Sequence, residues 1–289
     1  MSNTSETDRL DAPTFDPADA LHVDDEHFTA DNVAIVTGGG SGIGRATALA
    51  LATNGLTVVA TDIDDEGLDE TAEKATEFDL PGTVETVTAD LTDDDEVESI
   101  VEEAATFGDV RYLANVAGLQ HIDPIDEFPM EQYDLMHDVM LRAPLKLSKL
   151  VIPHVRETED GVGAIGNMAS VHGHYVTSDK VAYNVSKFGL RGLTQSIAAE
   201  GDGTLRAFSV STGYVKTPLV TNQIPDTAEQ RGISVDEVVE DVMLGQSRAK
   251  EMMTPTEVAN LFVFGFSKHG KQLNGGDLTF DGGMTFTYE

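Results

Sequence analysis

VAIVTGGGSGIGRATALALATNGLTVVATD, residues 33–62, sets out the architecture of this protein in one run. It begins with a short β-branched segment, residues 33–37, and passes through a glycine-rich turn. The apolar residues that follow recur at helical spacing as far as Gly55. A second apolar segment, residues 56–61, ends at Asp62. The run therefore predicts a strand, a tight turn, a helix and a second strand.

The glycines of residues 37–44 (TGGGSGIG) lie where the predicted strand passes into the helix. Side chains there would obstruct a pyrophosphate, which the helix N-terminus attracts. A plain tight turn is the alternative. Asp62 favours a dinucleotide site, because an acid there accepts hydrogen bonds from the adenosine ribose and repels a 2′-phosphate. Asp62 could otherwise be an ordinary surface acid. Since residues 37–44 contain no Lys or Arg, we expect NAD rather than NADP.

Strands and helices continue to alternate along the rest of the chain. Further strands are predicted at 82–89, 111–118, 162–168, 206–210 and 278–283, and helices at 62–78, 92–108, 130–154, 181–200 and 255–266. This alternation predicts an α/β fold: a single Rossmann-type, doubly wound parallel sheet of about seven strands with helices on both faces. We expect that domain over residues 31–289, after an acidic N-terminal extension, residues 1–30.

The composition excludes several classes of protein. The 289 residues include 51 Asp and Glu against 18 Lys and Arg, a net charge of −33, with an ordinary hydrophobic content of 40%. Such a surface repels nucleic acid and anionic lipid, so we expect neither a nucleic-acid nor a membrane partner. There is no Cys for a disulfide or a thiolate metal site, and no metal is expected. Without an apolar run of membrane length or a signal sequence, the expected location is cytoplasmic.

The charge is also unevenly distributed. Residues 61–107 contain 18 acidic residues and one basic residue, whereas residues 140–191 contain seven basic and four acidic residues. The acidic segment is most simply a pair of solvated helix faces. It is typical of a halophilic protein, because high salt screens the self-repulsion of such a surface.

Ser170, Tyr183 and Lys187 form a second group of candidate residues. Tyr183 and Lys187 lie four positions apart in a predicted helix and so share a face. A nearby ammonium group and the positive charge of a nicotinamide lower the pKa of a tyrosine hydroxyl. Tyr183 is then a candidate general acid/base, while Ser170 holds the substrate oxygen and a hydride passes to the nicotinamide. The Tyr-x-x-x-Lys spacing alone also occurs by chance.

Together, these motifs resemble those of the short-chain dehydrogenase/reductase family, over residues 32–283. The matching segments are TGGGSGIG at 37–44, Asp62, DL at 90–91, NVAG at 115–118, Ser170, and Tyr183 with Lys187. The resemblance implies that Ser170, Tyr183 and Lys187 are catalytic. It also implies a cofactor site made of Gly38, Ser41, Gly42, Ile43, Gly44, Asp62, Asp90, Leu91, Asn115, Ala117, Gly118, Tyr183, Lys187, Val215 and Thr217. By itself, NVAG could be only a strand-ending turn.

Finer matches resemble the D-3-hydroxybutyrate dehydrogenases within that family. They are GLQHIDPIDEFP at 118–129, ASVHG at 169–173, KVAY at 180–183 and TPLVTNQI at 217–224. The resemblance implies that a small carboxylate is held by Gln120, His172, Lys180 and Gln223. Donors of these types suit a planar carboxylate independently.

We therefore expect reversible, NAD-dependent oxidation of (R)-3-hydroxybutyrate to acetoacetate. Two alternatives stay open: a family member acting on a sugar, a polyol or a 3-oxoacyl thioester, and a non-catalytic NAD-binding regulator. The resemblance further implies a homotetramer, with a four-helix contact between the helices predicted at 130–154 and 181–200.

Three positions depart from the family pattern. Met140 stands where an Asn of the long helix usually supports a water that relays protons from the lysine. The helix backbone near Pro144, or His137, then holds that water, or the relay is slower. Tyr214 and Met284 stand where tryptophans are expected near the substrate methyl group. These departures concern the apolar end of the substrate more than the type of reaction.

Overall fold

The apolar segments of the sequence lie side by side in one parallel sheet. The computed structural model describes residues 13–287. Strands β1 to β7 are Asn32–Thr37, Thr57–Asp62, Thr83–Thr88, Asp109–Asn115, Gly163–Met168, Leu205–Thr212 and Asp277–Phe280. Their order across the sheet is β3-β2-β1-β4-β5-β6-β7, and every neighbouring pair is parallel. The Rossmann-type sheet predicted from the sequence is confirmed.

Helices cover both faces of this sheet. Helices α1 to α5 are Gly42–Thr53, Asp65–Glu77, Asp94–Phe107, Met130–His137 and Ala143–Glu157. Helices α6 to α10 are Val181–Glu200, Pro218–Thr221, Gln223–Arg231, Val235–Glu237 and Pro255–Phe266. The buried side chains of α1, α2 and α10 form one hydrophobic core, and those of α3, α5 and α6 form the other. The two cores on opposite faces make the sheet doubly wound.

The order of the strands reverses at β1, which lies between β2 and β4. Connections leave the carboxyl ends of β1 and β4 toward opposite sides, and this opens a crevice where ligands bind in such sheets. Thr37, the last residue of β1, ties the two strands together at that point. Its hydroxyl accepts hydrogen bonds from the backbone N–H groups of Val116 at 2.9 Å and Ala117 at 3.1 Å.

The single helix predicted over residues 130–154 is interrupted. Between α4 and α5 the backbone forms a π-helical turn, Asp138–Arg142. Pro144, at the start of α5, has no N–H to donate to the preceding turn, which accounts for the break in the regular pattern. Met140 lies within this turn and is fully buried against Met136 and Ala182.

Part of the expected N-terminal extension contacts the core of the domain. Phe15, Ala20 and Phe28 are buried in the same core as α1 and α10. The ring of Phe28 meets that of Tyr112 edge-on, with centroids 5.8 Å apart. Residues 1–12 of the extension lie outside the described residues. Within residues 13–287, no helix has the length and apolarity needed to cross a bilayer.

Candidate active site

A cavity of about 470 Å³ opens at the carboxyl ends of the central strands. With one exception, every residue predicted to contact the cofactor lines it. These are Gly38, Ser41, Gly42, Ile43, Gly44, Asp62, Asp90, Leu91, Ala117, Gly118, Tyr183, Lys187, Val215 and Thr217. The exception is Asn115, which is buried at the end of β4. Its side-chain Nδ2 donates to Oδ1 of Asn167 at 2.8 Å, and its side-chain Oδ1 has no hydrogen-bond partner among the described residues.

The glycine turn forms the floor of this cavity, and its geometry requires glycine. Gly38 has φ +72°, in the left-handed region. A Cβ on Gly44 would lie 2.0 Å from the carbonyl oxygen of Gly38, and a Cβ on Gly39 would lie 2.7 Å from the Cβ of Ala60. The bare backbone and the N-terminus of α1 thus form a cradle that fits the pyrophosphate of NAD(H) or NADP(H).

Asp62 stands at the adenosine end of the cavity. One of its carboxylate oxygens accepts the backbone N–H of Gly40 at 3.0 Å, which fixes the side chain beside the glycine turn. Arg45 is the first cationic residue after that turn, and its guanidinium is already engaged. It pairs with Glu70 at 2.8 Å and donates to the carbonyl oxygen of Gly67 at 3.1 Å.

Ser170, Tyr183 and Lys187 are brought together by the end of β5 and the first turns of α6. Ser170 follows β5 and is a hydrogen-bond partner of Tyr183. The ammonium nitrogen of Lys187 lies 5.3 Å from the ring centroid of Tyr183 and donates to the carbonyl oxygen of Met168 at 2.7 Å. A Cβ on Gly173 would lie 2.9 Å from the carbonyl oxygen of Lys187, so this glycine lets the Ser170 loop rest on α6.

Burial controls the electrostatics of this group. Desolvation lowers the pKa of Lys187 to about 7. It raises the pKa of Tyr183, and the hydrogen bond with Ser170 opposes that rise. The protein's own groups thus raise the pKa of Tyr183, whereas the lowering predicted from the sequence relies on Lys187 together with the positive charge of a nicotinamide and stays a prediction. A further positive charge beside the phenol is needed, and a nicotinamide would bring one.

Met140 lies close to Lys187. A Cβ placed on Gly118 would lie 3.7 Å from the Met140 sulfur and 3.9 Å from the Lys187 nitrogen. His137 stands one turn earlier, and its ring contacts that of Tyr133 with centroids 4.0 Å apart. The Nε2 atom of His137 is buried without a hydrogen-bond partner among residues 13–287.

The four predicted substrate residues form two pairs. The amide of Gln120 approaches the side-chain oxygen of Gln223 at 3.4 Å. The ring of His172 packs edge-on against that of Tyr183, with centroids 5.6 Å apart. The charge of Lys180 acts on the same imidazole. Burial and then the Lys180 charge lower the pKa of His172 to about 4, so its imidazole is neutral at neutral pH.

Lys180 itself is a half-buried cation. Desolvation lowers the pKa of its ammonium group. Within the part of the chain that the structure describes, no carboxylate pairs with it. The backbone N–H of Asp123 donates to the carbonyl oxygen of Asp179 at 2.9 Å, which joins the segment containing Gln120 to the residue before Lys180.

Several residues that support the candidate active site were not predicted from the sequence. Thr177 lies 3.0 Å from Nε2 of His172 and orients that ring. Asn167 bridges Asn115 and Thr194 under the cavity. Tyr175 contacts the His172 ring at 5.6 Å. Their positions at the end of β5 or just after it were the available signal, but residue type alone did not separate them from ordinary strand and loop residues. Among residues 13–287, no group of three or more His, Cys, Asp or Glu could hold a metal ion.

Comparison with known proteins gives consistent matches. A model described as short chain dehydrogenase matches residues 32–228. The D-beta-hydroxybutyrate dehydrogenase of Rhizobium meliloti (strain 1021) is 36% identical over 259 residues, covering 87% of this chain and 98% of that protein. The 3-oxoacyl-(acyl-carrier-protein) reductase of Thermotoga maritima is 31% identical over 254 residues, covering 87% and 97%. The crystal structure of levodione reductase matches with a TM-score of 0.82 at 29% identity, covering 90% of this chain and all of that one.

Proposed function

The chain belongs to the short-chain dehydrogenase family, and on this premise we propose that it interconverts (R)-3-hydroxybutyrate and acetoacetate with NAD. The observation that carries the proposal is the half-buried ammonium of Lys180, which lies beside His172 and has no carboxylate partner among the described residues. A buried charge without a partner is unfavourable, so this site favours a ligand that brings a carboxylate. Ser170 and Tyr183 lie next to the same imidazole, where the hydroxyl group of a short hydroxy acid would be.

The proton chemistry is assigned to Tyr183. Its phenolate form accepts the proton of the substrate hydroxyl during oxidation, and the resulting phenol returns that proton to the substrate oxygen during reduction, while the Ser170 hydroxyl holds the same oxygen in place. When bound, the nicotinamide supplies the acceptor for the hydride of the carbinol carbon. Lys187 stabilises the phenolate form electrostatically, and its hydrogen bond to Met168 fixes the ammonium group under the tyrosine ring.

The carboxylate is assigned to Lys180, with neutral donors around it. His172 is neutral, so it contributes a hydrogen bond rather than a charge. Gln120 and Gln223 add amide groups from two segments that are far apart in the chain. A lysine with several neutral donors holds a planar carboxylate without the net charge that two cations would add.

NAD is proposed over NADP because of Asp62. Its carboxylate can accept hydrogen bonds from the adenosine ribose, and it would repel a 2′-phosphate. The engagement of Arg45 with Glu70 leaves that guanidinium unable to offset the repulsion.

The proposal includes a homotetramer. Leu145 on α5 is 55% exposed, and Val185 and Phe188 on α6 are each 43% exposed. Apolar side chains of this size on two neighbouring helices favour contact with another copy of the chain. Size-exclusion chromatography in high salt tests this part, and a monomer would contradict it.

The activity is tested by following NADH absorbance with (R)-3-hydroxybutyrate, its (S) enantiomer, gluconate and butan-2-ol as substrates. We expect the (R) hydroxy acid to give the highest kcat/KM. Tyr183→Phe should lose activity by about 10²- to 10⁴-fold while still binding NADH, since only the proton transfer is removed. If kcat/KM were higher for gluconate or butan-2-ol than for (R)-3-hydroxybutyrate, the proposed substrate would be wrong. If the protein bound NADH but turned over none of these four compounds, a non-catalytic NAD-binding regulator would be favoured instead.

A further inference from the structure

A second cavity, of about 210 Å³, lies next to Tyr214 and Met284. Its apolar lining consists of Tyr214, Leu244, Met252, Met253, Phe280 and Met284. Methionine side chains are flexible and fill irregular spaces, so a wall of this kind adapts to occupants of different length. The proposed reaction on a four-carbon acid leaves this cavity without a role.

Two rows of side chains connect the catalytic hydroxyl to this cavity. In the first, the ring of His172 contacts the rings of both Tyr183 and Tyr175 at 5.6 Å. The Tyr175 hydroxyl then donates to the sulfur of Met284 at 3.1 Å. The other connection runs along the chain. Tyr214 lines the 210 Å³ cavity, while its neighbours Gly213 and Val215 line the 470 Å³ cavity of the active site. Tyr214 and Met284 therefore border the second cavity on the side that faces the active site.

The charges around the second cavity determine which end of a substrate can enter it. Glu251, Glu257 and Asp281 also line it. Asp281 already accepts the backbone N–H of Gly283 at 2.9 Å and that of Thr285 at 2.7 Å. Three acidic side chains repel a carboxylate. An anionic substrate must keep its carboxylate at the ammonium group of Lys180 and turn its apolar end toward the methionines.

We infer that the second cavity receives the alkyl end of the substrate, so that the enzyme oxidises linear (R)-3-hydroxy acids of five and six carbons as well as the four-carbon acid. This inference rests on the proposed function. A water molecule's share of liquid volume is about 30 Å³, so 210 Å³ holds two further methylene groups with room to spare. Burying each methylene is expected to raise kcat/KM about fourfold.

The test compares (R)-3-hydroxybutyrate with (R)-3-hydroxyhexanoate. For the wild-type protein, we expect kcat/KM for the six-carbon acid to be about fifteenfold higher, which is fourfold for each of two methylene groups. Ala249 also lines the second cavity and is exposed, so Ala249→Leu reduces the cavity volume without disturbing a packed core. It should lower kcat/KM for the six-carbon acid about tenfold and leave that for the four-carbon acid within about twofold. Ala249→Ser, which adds little volume, should change neither.

The wild-type ratio needs no variant and decides the inference by itself. Turnover of the four-carbon acid with little or none of the six-carbon acid would overturn the inference and leave the proposed function intact. An equal loss for both acids in Ala249→Leu, with unchanged helicity, would also overturn it. Failure of the wild-type protein to oxidise either acid would overturn the proposed function and the inference with it.

Discussion

Replacing Lys180 with methionine removes one half-buried charge and keeps most of the side-chain volume. In the structure, burial lowers the pKa of this lysine, and its ammonium group has no carboxylate partner among residues 13–287. The protein itself gains little from that charge. The substrate carboxylate would be its partner, so the substitution separates binding of the carboxylate from the proton and hydride chemistry.

The size of the effect follows from one charge-assisted hydrogen bond. Such a bond contributes about 1.5–3 kcal/mol, which corresponds to a rise in KM for (R)-3-hydroxybutyrate of about 10- to 150-fold. The value of kcat should change little, because Ser170 and Tyr183 keep their positions. Butan-2-ol has no carboxylate, so its KM should stay within about twofold of the wild-type value. Thermal stability should be unchanged or higher, since an unpaired buried charge is removed.

The assay is steady-state NADH formation at saturating NAD and neutral pH, on the wild-type protein, Lys180→Met and Lys180→Arg. The arginine variant keeps the charge and should recover part of the affinity for the hydroxy acid. If Lys180→Met raised KM for the hydroxy acid no more than for butan-2-ol, the carboxylate would not bind at Lys180. A marked loss of thermal stability would show that the ammonium has a structural partner instead.

Four other predictions follow from the site and the charge distribution. Asp62→Ser should shift the NADP-to-NAD ratio of kcat/KM toward NADP by about tenfold or more, since it removes a repulsive charge; an unchanged ratio would exclude Asp62 as the determinant. Gly39→Ala places a Cβ 2.7 Å from that of Ala60 and should lower the free energy of unfolding by about 1–3 kcal/mol. Its control, Gly192→Ala, lies in α6 with nothing within 4 Å of the added Cβ and should raise that free energy by about 0.5–1 kcal/mol. The His172 ring, with its pKa lowered to about 4, should titrate by NMR far below 6.5, and KM for the hydroxy acid should not change between pH 5.5 and 7.5; an inflection near 6.5 would mean that the ring is solvated. Removing salt should raise KM for both anionic ligands before circular dichroism shows loss of helix, whereas a simultaneous loss would mean that the acidity concerns stability alone.

The local features of this protein could be predicted from its sequence. Helix α6 was predicted with both of its ends, Val181–Glu200, and the strands were predicted to within a few residues. These features depend on periodicity and on conformational preferences that act over a few residues. Tyr183 and Lys187 share a helix face because of their four-residue spacing, whatever the rest of the chain does. The conformation of the glycine turn likewise depends on its own backbone and on the two strands beside it.

The break at residues 138–142 was not predicted, because the apolar spacing continues through it and the prediction of one helix over 130–154 gave too little weight to Pro144 in its interior. The meeting of Gln120 with Gln223, and of Tyr175 with Met284, depends on segments more than a hundred residues apart in the chain.

By itself, then, the sequence determined the parallel sheet, the dinucleotide turn and the spacing of the catalytic residues, since each follows from short-range patterns. Only the tertiary structure decided the depth at which Lys180 and Tyr183 are buried, the lowered pKa of His172 and the second cavity behind Tyr214. Burial depends on every element that packs around a group, and desolvation, rather than the nearest charge in the sequence, then sets which protonation state is stable.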